Sequence, residues 1–380
     1  MASRFFNIVL CCALCCVFST GASAAPEPDS VRQTHVTLLV PSGTDSPFWT
    51  RIVNITREAA EDFDIHLEVI FDVHNRFRNT RTIHAISQRT DNRPDYVLLN
   101  IYLSRTQDSL AYLENSGIPY ITINTDIPPA ERKNVDYPQG RYKNWLASVM
   151  PDDISAGARS ADYLINAARQ RNLRAADDRI HLFGINGTRD TMATHFREQG
   201  LKKALAQQPD VSLKQIAYAD WSQERASFLT SALLSRHPET NAIWTASDAM
   251  AMGTISELKR RGLTPGRDVL VSGTDWTAEA QEAIKEGELL VSAGGHFLDA
   301  SLALAIIYDN EHGLTIPAAE ADIHRPMTLI HKDNIERYQP LLNKAGWKTL
   351  NFRNLSRYHN KGLKHYPLET EDLMKLLLLK

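Results

Sequence analysis

Residues 242–261, AIWTASDAMAMGTISELKRR, hold the pattern that decides the fold. Ala242 to Ala246 is a short apolar run of strand character. Ser247-Asp248 follows, and Asp is a residue strongly preferred where helices begin. From Ala249 to Arg261 the apolar positions recur at helical spacing. The same unit repeats in both directions. Strands are expected at His35–Val40, His66–Phe71, Tyr96–Asn100, Tyr120–Asn124, Ile180–Asn186, Gln215–Ala219, Val269–Ser272 and Leu289–Ala293. Between them, helices are expected at Phe48–Asp62, Ser155–Arg171, Ala226–Ser235 and Ala300–Asn310. Strands and helices in this alternation build parallel sheets covered by helices on both faces. Nine such strands make a large single sheet, so the expected fold is α/β with two doubly wound lobes.

The division is expected at Tyr142–Met150. Before it, Ile127–Arg141 carries Pro128, Pro129, Pro138 and Gly140 and reads as a long loop; after it, Asp152 stands where a new helix would be capped. The last thirty residues are rich in Asn, Arg, Tyr and Lys and read as an extension wrapping the surface.

The chain has 380 residues, 43% hydrophobic and 23% charged, enough to bury a sizeable core. Its 42 Lys and Arg against 45 Asp and Glu give a formal net charge of -3, which argues against nucleic acid or an anionic membrane as partner. All four cysteines, Cys11, Cys12, Cys15 and Cys16, lie in the first sixteen residues. They sit in an export signal: Arg4, the apolar run Phe5–Phe18, then Ala22-Ser23-Ala24 as a cleavage pattern. That run is too short for a bilayer, which needs roughly 20 apolar residues. Cleavage after Ala24 leaves a thiol-free protein with neither a cysteine zinc site nor a disulfide framework. Residues 1–24 are therefore expected to be a signal peptide and the product soluble and exported.

In an open parallel sheet, ligands bind beyond the carboxyl ends of the strands. Here those ends read Thr44-Asp45-Ser46-Pro47-Phe48-Trp49, Asn124-Thr125-Asp126, Asn186-Gly187-Thr188, Asp220-Trp221, Ser247-Asp248, Gly273-Thr274-Asp275-Trp276 and Gly294-Gly295-His296. They combine aromatic rings with short polar groups. A polyol needs both: flat rings over its C–H face, and carboxylates, amides or guanidinium groups for its hydroxyls. Other roles stand beside this reading. Asp248 and Asp275 could be helix caps, Phe48 and Trp49 could be core residues of the first helix, and Trp221 could simply begin a helix after Asp220.

These stretches resemble a known family. Asp45-Ser46-Pro47-Phe48-Trp49, Arg93 to Asn100, Gly117 to Asn124, Asp152 to Gly157, Arg197-Glu198-Gln199-Gly200, Ser247 to Gly253, Gly273-Thr274-Asp275 and Glu282 to Gly287 look like type I periplasmic binding proteins, in order from about His35 to Trp347. Within that family the chain is similar to the ribose-binding and autoinducer-2-receptor-like sugar-binding group. The resemblance implies two lobes joined by a hinge with a ligand cleft between them. It divides the chain into residues 35–147 plus about 296–325, residues 148–295 plus about 326–350, and an extension at 351–380. It implies stacking by Phe48 and Trp49, polar contacts from Ser46, Asn124, Arg197, Asp248 and Asp275, and places Trp221 and His296 at the same cleft. The chain also departs from ribose binders. They carry Asp-Arg where it has Asn124-Thr125; its Gly187–Arg197 segment is longer; and the ligand-facing Gln or Arg is missing around Gly294-Gly295-His296, where His296 stands.

The implied function is a monomeric periplasmic binding protein, without cofactor, metal or catalytic residue, that closes on a small sugar or sugar-like polyol and presents it to an ABC-type permease. A receptor that hands a sugar-like signal to a membrane sensor kinase or cyclase is the alternative. An intracellular repressor is set aside, because a signal peptide stands where a helix-turn-helix would be. An exported hydrolase is the opposing class, but the chain has no Gly-x-Ser-x-Gly elbow, phosphate-cradling Gly-rich loop or His-Glu-x-x-His pair. His66, His74 and His84 are expected on solvated helix or loop surfaces, and His35, His181 and His331 as structural strand residues. An acid–base pair of Asp248 and Asp275 is the one catalytic arrangement left to consider.

Overall fold

The computed structural model describes residues 32–72 and 75–380. The expected signal peptide, residues 1–24, and His74 lie outside the described residues. From Thr34 to Lys380 the chain forms one compact unit containing two sheets. The first part of the chain runs β1 (Thr34–Val40), α1 (Pro47–Asp62), β2 (Ile65–Phe71), α2 (Arg76–Ser87), β3 (Tyr96–Leu99), α3 (Thr106–Ser116), β4 (Tyr120–Ile123), α4 (Pro129–Val135) and β5 (Trp145–Pro151). The second runs α5 (Asp153–Gln170), β6 (Ile180–Asn186), α6 (Met192–Leu205), β7 (Val211–Tyr218), α7 (Gln223–Arg236), β8 (Ala242–Thr245), α8 (Asp248–Arg260), β9 (Leu270–Thr274), α9 (Ala278–Glu286) and β10 (Val291–Gly294). Then come α10 (Asp299–Glu311), β11 (Asp322–Arg325), β12 (Thr328–Ile330), α11 (Gln339–Leu342) and α12 (Thr370–Leu377).

The sheet orders are β11-β5-β4-β3-β1-β2 and β12-β10-β9-β8-β6-β7, parallel throughout except for the β10–β12 pair. Each lobe is thus doubly wound. Strand β1 shows why: Val36, Leu38, Leu39 and Val40 are all wholly buried, as a strand covered on both faces requires. Leu38 packs with α1 and the main core, while Leu39 joins a separate cluster under α2 and α3.

The chain passes between sheets at Pro151–Asp153, between β10 and α10, and between β11 and β12. The strand order places these crossings at the β5/β11 edge of one sheet and the β10/β12 edge of the other. Strand β5 fills the segment that reads as a connection in the sequence, so the first crossing falls after it. Trp145–Pro151 is held between β4 and β11, and that pairing, invisible locally, makes it a strand. Residues Ile127–Arg141 are also not all loop. Pro129 stands at the start of α4, where its missing N–H costs nothing, and Val135 anchors the helix in the core. Asp152 does cap α5, accepting from Ser155 N at 2.9 Å. His66 lies on β2 rather than on a helix or loop, and His331 follows β12, its ring stacked on Tyr163.

Helices α5 and α6 meet backbone to backbone. A Cβ at Gly157 would fall on the carbonyl of Arg197, and one at Gly200 on the carbonyl of Ile154. This contact fixes the height at which Arg197 leaves α6.

The C-terminal extension wraps the surface, as expected, and is anchored to the core by a few buried side chains. Phe352, Leu355, Leu373 and Leu377 are wholly buried. The buried carboxylate of Asp309 on α10 gathers the segment, accepting from Ser356 Oγ, Arg357 N, Tyr358 N and Tyr366 Oη at 2.5–3.0 Å.

Candidate functional site

The carboxyl ends of both sheets face a cavity of about 490 Å³. In the first lobe, Ser46 caps α1 and Pro47 begins it, so Phe48 and Trp49 stand on the first helical turn at the cavity edge. Asn100 and Tyr102 follow β3, and Asn124 and Thr125 follow β4. Asn124 holds a left-handed φ of 64°, a conformation that Asn tolerates better than most residues. In the second lobe the wall is made by Thr191 and Arg197 at α6, Asp220 to Glu224 before and into α7, Ser247 and Ala249 at α8, and Asp275 and Thr277 before α9.

Seven of the nine residues expected at a site therefore line one cavity: Ser46, Phe48, Trp49, Asn124, Arg197, Trp221 and Asp275. Asp248 and His296 are not among its lining residues. Asp248 lies behind the wall with both oxygens engaged. Oδ2 accepts from Thr277 N at 2.8 Å and Thr277 Oγ1 at 3.3 Å, and Oδ1 accepts from Ser292 Oγ at 2.7 Å. His296 is also wholly enclosed. Its ring centre is 4.8 Å from that of Phe48, and its Nε2 is 3.4 Å from Asp275 Oδ1.

The caps fall elsewhere than the sequence suggests. Ser247 caps α8 and Thr277 caps α9, each accepting from a backbone N–H three residues on, so neither Asp248 nor Asp275 has that role. Trp221 does not begin a helix either. Ser222 caps α7, and Asp220 and Trp221 both take left-handed backbone, with φ of 51° and 61°. That conformation is a strained one for a bulky residue, and it turns the indole toward the cavity.

Charge in the site centres on Arg197. Its Nε donates to Asp153 Oδ1 at 2.7 Å and its Nη1 to the Ala246 carbonyl at 2.7 Å, with Asp275 Oδ1 3.9 Å from Nη1. Burial works against the guanidinium charge, but Asp153 and Asp275 outweigh it and raise the Arg197 pKa. Burial lifts Asp275 to about 7, against the pull of Arg197 and Arg51. Burial, and then the neighbouring Asp275 charge, raise Asp248. Burial and the facing Arg197 push His296 down to about 3, so it is neutral at ordinary pH. Arg51, two residues beyond Trp49, donates to the carbonyls of Trp276 and Leu341 and lies 4.0 Å over the Phe297 ring, tying α1 to the second lobe.

Asn100 and Ser247 line the cavity although the sequence reading quotes them without assigning either a contact there. Asn100 donates to Thr125 Oγ1 at 2.5 Å, while its Oδ1, like the Oδ1 of Asn124, is buried with no hydrogen-bond partner. Most buried polar atoms are hydrogen-bonded, and both of these acceptors belong to residues that line the cavity. Both Asn100 and Ser247 are the polar residues next after a strand, which is the signal that points to them.

The fold is a two-lobed α/β architecture with a cavity between the carboxyl ends of its two sheets. Residues 36–296 match the periplasmic binding protein domain family, and the chain belongs to that family. Among curated relatives, the D-allose-binding periplasmic protein of Escherichia coli K12 is 28% identical over 180 residues, 47% of this chain and 55% of that protein. The ribose import binding protein of Salmonella typhimurium LT2 is 22% identical over 274 residues, 72% of this chain and 83% of that one. Among solved structures, a periplasmic sugar-binding protein from Pseudomonas fluorescens superimposes with a TM-score of 0.80 at 27% identity, covering 90% of this chain and 99% of its own.

Proposed function

We propose that the protein is an exported solute-binding protein that encloses a small neutral sugar or sugar-like polyol between its lobes and delivers it to an ABC-type permease from the periplasm. The observation that carries this reading is the cavity itself: aromatic rings from both lobes, with amide, hydroxyl, carboxylate and guanidinium groups converging between them. In this reading Phe48, Trp49 and Trp221 cover the C–H faces of the ligand. Ser46, Asn100, Asn124, Arg197, Ser247 and Asp275 take its hydroxyls, and Asp248 and His296 hold the wall from behind. The names of the relatives, for ribose and D-allose, support the ligand class. Neighbouring structures at lower identity carry D-allose, myo-inositol and α-D-tagatopyranose. Catalysis by an Asp248–Asp275 pair is disfavoured, because Asp248 spends its oxygens on Thr277 and Ser292.

The test is a panel of D-ribose, D-allose, D-tagatose, myo-inositol and L-arabinose, read by thermal shift and tryptophan fluorescence, with mass spectrometry of any ligand released from natively purified protein. A binder present at a hundred times its Kd adds about 2.7 kcal/mol of stability. No shift with any member and no co-purified polyol would overturn the reading.

A further inference from the structure

Gly187, the first residue after β6, supports the Trp221 side of the cavity. A Cβ built on Gly187 would overlap Cζ2, Cε2 and Cη2 of Trp221, all well inside the 3.0 Å that real Cβ atoms keep. The benzo ring of the indole therefore lies directly against the glycine backbone, while Trp221 also lines the cavity.

Neither partner can retreat. Gly187 N donates to Asn186 Oδ1 at 2.9 Å, and Asn186 Nδ2 donates to Thr194 O and Glu198 Oε2 on α6 at 3.2 and 3.0 Å. On the other side, Ala219 N bonds Asn186 O at 2.8 Å and Ser222 N bonds Ala219 O at 2.9 Å. The backbone that carries Trp221 is thus tied to the end of the strand that carries Gly187. A side chain at 187 would have to move the indole by about 1 Å to reach ordinary contact, and the open direction is into the cavity.

We propose that Gly187 sets the depth of the ligand cavity on its second-lobe side and is a specificity-determining residue that admits a six-carbon sugar where a bulkier residue would leave room only for a five-carbon one. The ligand part rests on the sugar-binding reading above; the seating of Trp221 does not. One methylene in a hydrophobic pocket is worth on the order of ten- to two-hundredfold, which sets a lower scale for excluding a whole hydroxylated carbon by steric overlap.

The experiment is Gly187→Ala, with affinities for D-allose and D-ribose measured by calorimetry alongside a crystal structure of the variant without sugar. The expected result is a loss of tenfold or more for D-allose, by the same arithmetic, with less than a threefold loss for D-ribose, and an indole displaced into the cavity. Adding Trp221→Phe, a smaller ring, restores the original ranking. Equal losses for both sugars, unchanged affinities, or an indole left in place while the 187 backbone moves away would each overturn the proposal. Should the unaltered protein bind neither sugar, the six-against-five-carbon part of the proposal fails while the sugar reading still rests on the full panel, and the position of the indole in the crystal decides the role of Gly187. Should Gly187→Ala not fold, Trp221→Phe alone carries the test: it enlarges the cavity and must favour D-allose over D-ribose relative to the parent.

Discussion

Arg197 and Asp153 form a buried ion pair, with Nε 2.7 Å from Oδ1 and neither side chain more than 5% exposed. It joins the helix that carries the site's cation to the first turn of the helix packed against it. Breaking one partner of such a pair leaves the other charge buried and alone, at a cost of about 3–5 kcal/mol. Arg197→Met is expected to lower stability by that order and to abolish ligand-dependent stabilisation. Arg197→Met combined with Asp153→Leu is expected to recover much of the stability and none of the binding. Urea unfolding with and without ligand separates the two effects.

Asp248→Ala is expected to damage the empty protein. It removes a carboxylate that accepts from Thr277 N, Thr277 Oγ1 and Ser292 Oγ, and leaves those donors buried. Each unsatisfied buried group costs about 1–3 kcal/mol. A drop in the midpoint of thermal unfolding without ligand is the measurement. An unchanged midpoint with lost binding would instead place Asp248 on the ligand.

His296 makes a pH prediction with a definite sign. Its folded pKa is about 3 against an ordinary 6.5, so the unfolded chain takes up a proton below pH 6.5 that the folded protein refuses. Stability from this group is intact above pH 6.5 and falls as the pH drops toward 3. Between pH 6.5 and 5 the loss is about 2 kcal/mol at 1.36 kcal/mol per pH unit. His296→Gln, which does not titrate, is expected to gain on the parent by roughly that amount at pH 5 relative to pH 7. Denaturant unfolding at the two pH values reads it. A difference between variant and parent that stays constant with pH would contradict a neutral buried imidazole.

Asp309 is expected to control the C-terminal extension. It receives two backbone N–H groups, a serine hydroxyl and the Tyr366 phenol from that segment. Asp309→Ala should open residues 351–380 to limited proteolysis at protease levels that leave the parent intact. A proteolysis pattern identical to that of the parent would show that Phe352, Leu355, Leu373 and Leu377 hold the segment without it.

Much of the fold was legible because parallel strands buried on both faces are apolar throughout, and the helices between them carry a periodic apolar face. Strands β1 and β8 and helices α1, α5 and α8 announce themselves in this way. Strands β5, β11 and β12 do not. Asp-Ile-His-Arg at 322–325 has no strand signature and is extended because β5 offers it a free edge. Ser46, Phe48 and Trp49 were readable as strand-end residues because loop position and residue type suffice to place them, whereas Arg197, in the second turn of α6, was indicated only by the family resemblance.

The side to which a carboxylate points was not readable. Asp248 and Asp275 both follow strand ends, yet Asp275, with a φ of 120°, lines the cavity, while Asp248, one residue into α8, turns inward to Thr277 and Ser292. By itself the sequence determined the alternation of elements, hence two doubly wound sheets, and the set of aromatic and polar residues at their ends. Only the tertiary structure decided which of those residues share a cavity, how Trp221 is seated on Gly187, and which side chains of the last thirty residues anchor that segment in the core. These depend on contacts between segments far apart in the chain, and local propensity carries no record of what will pack against a residue.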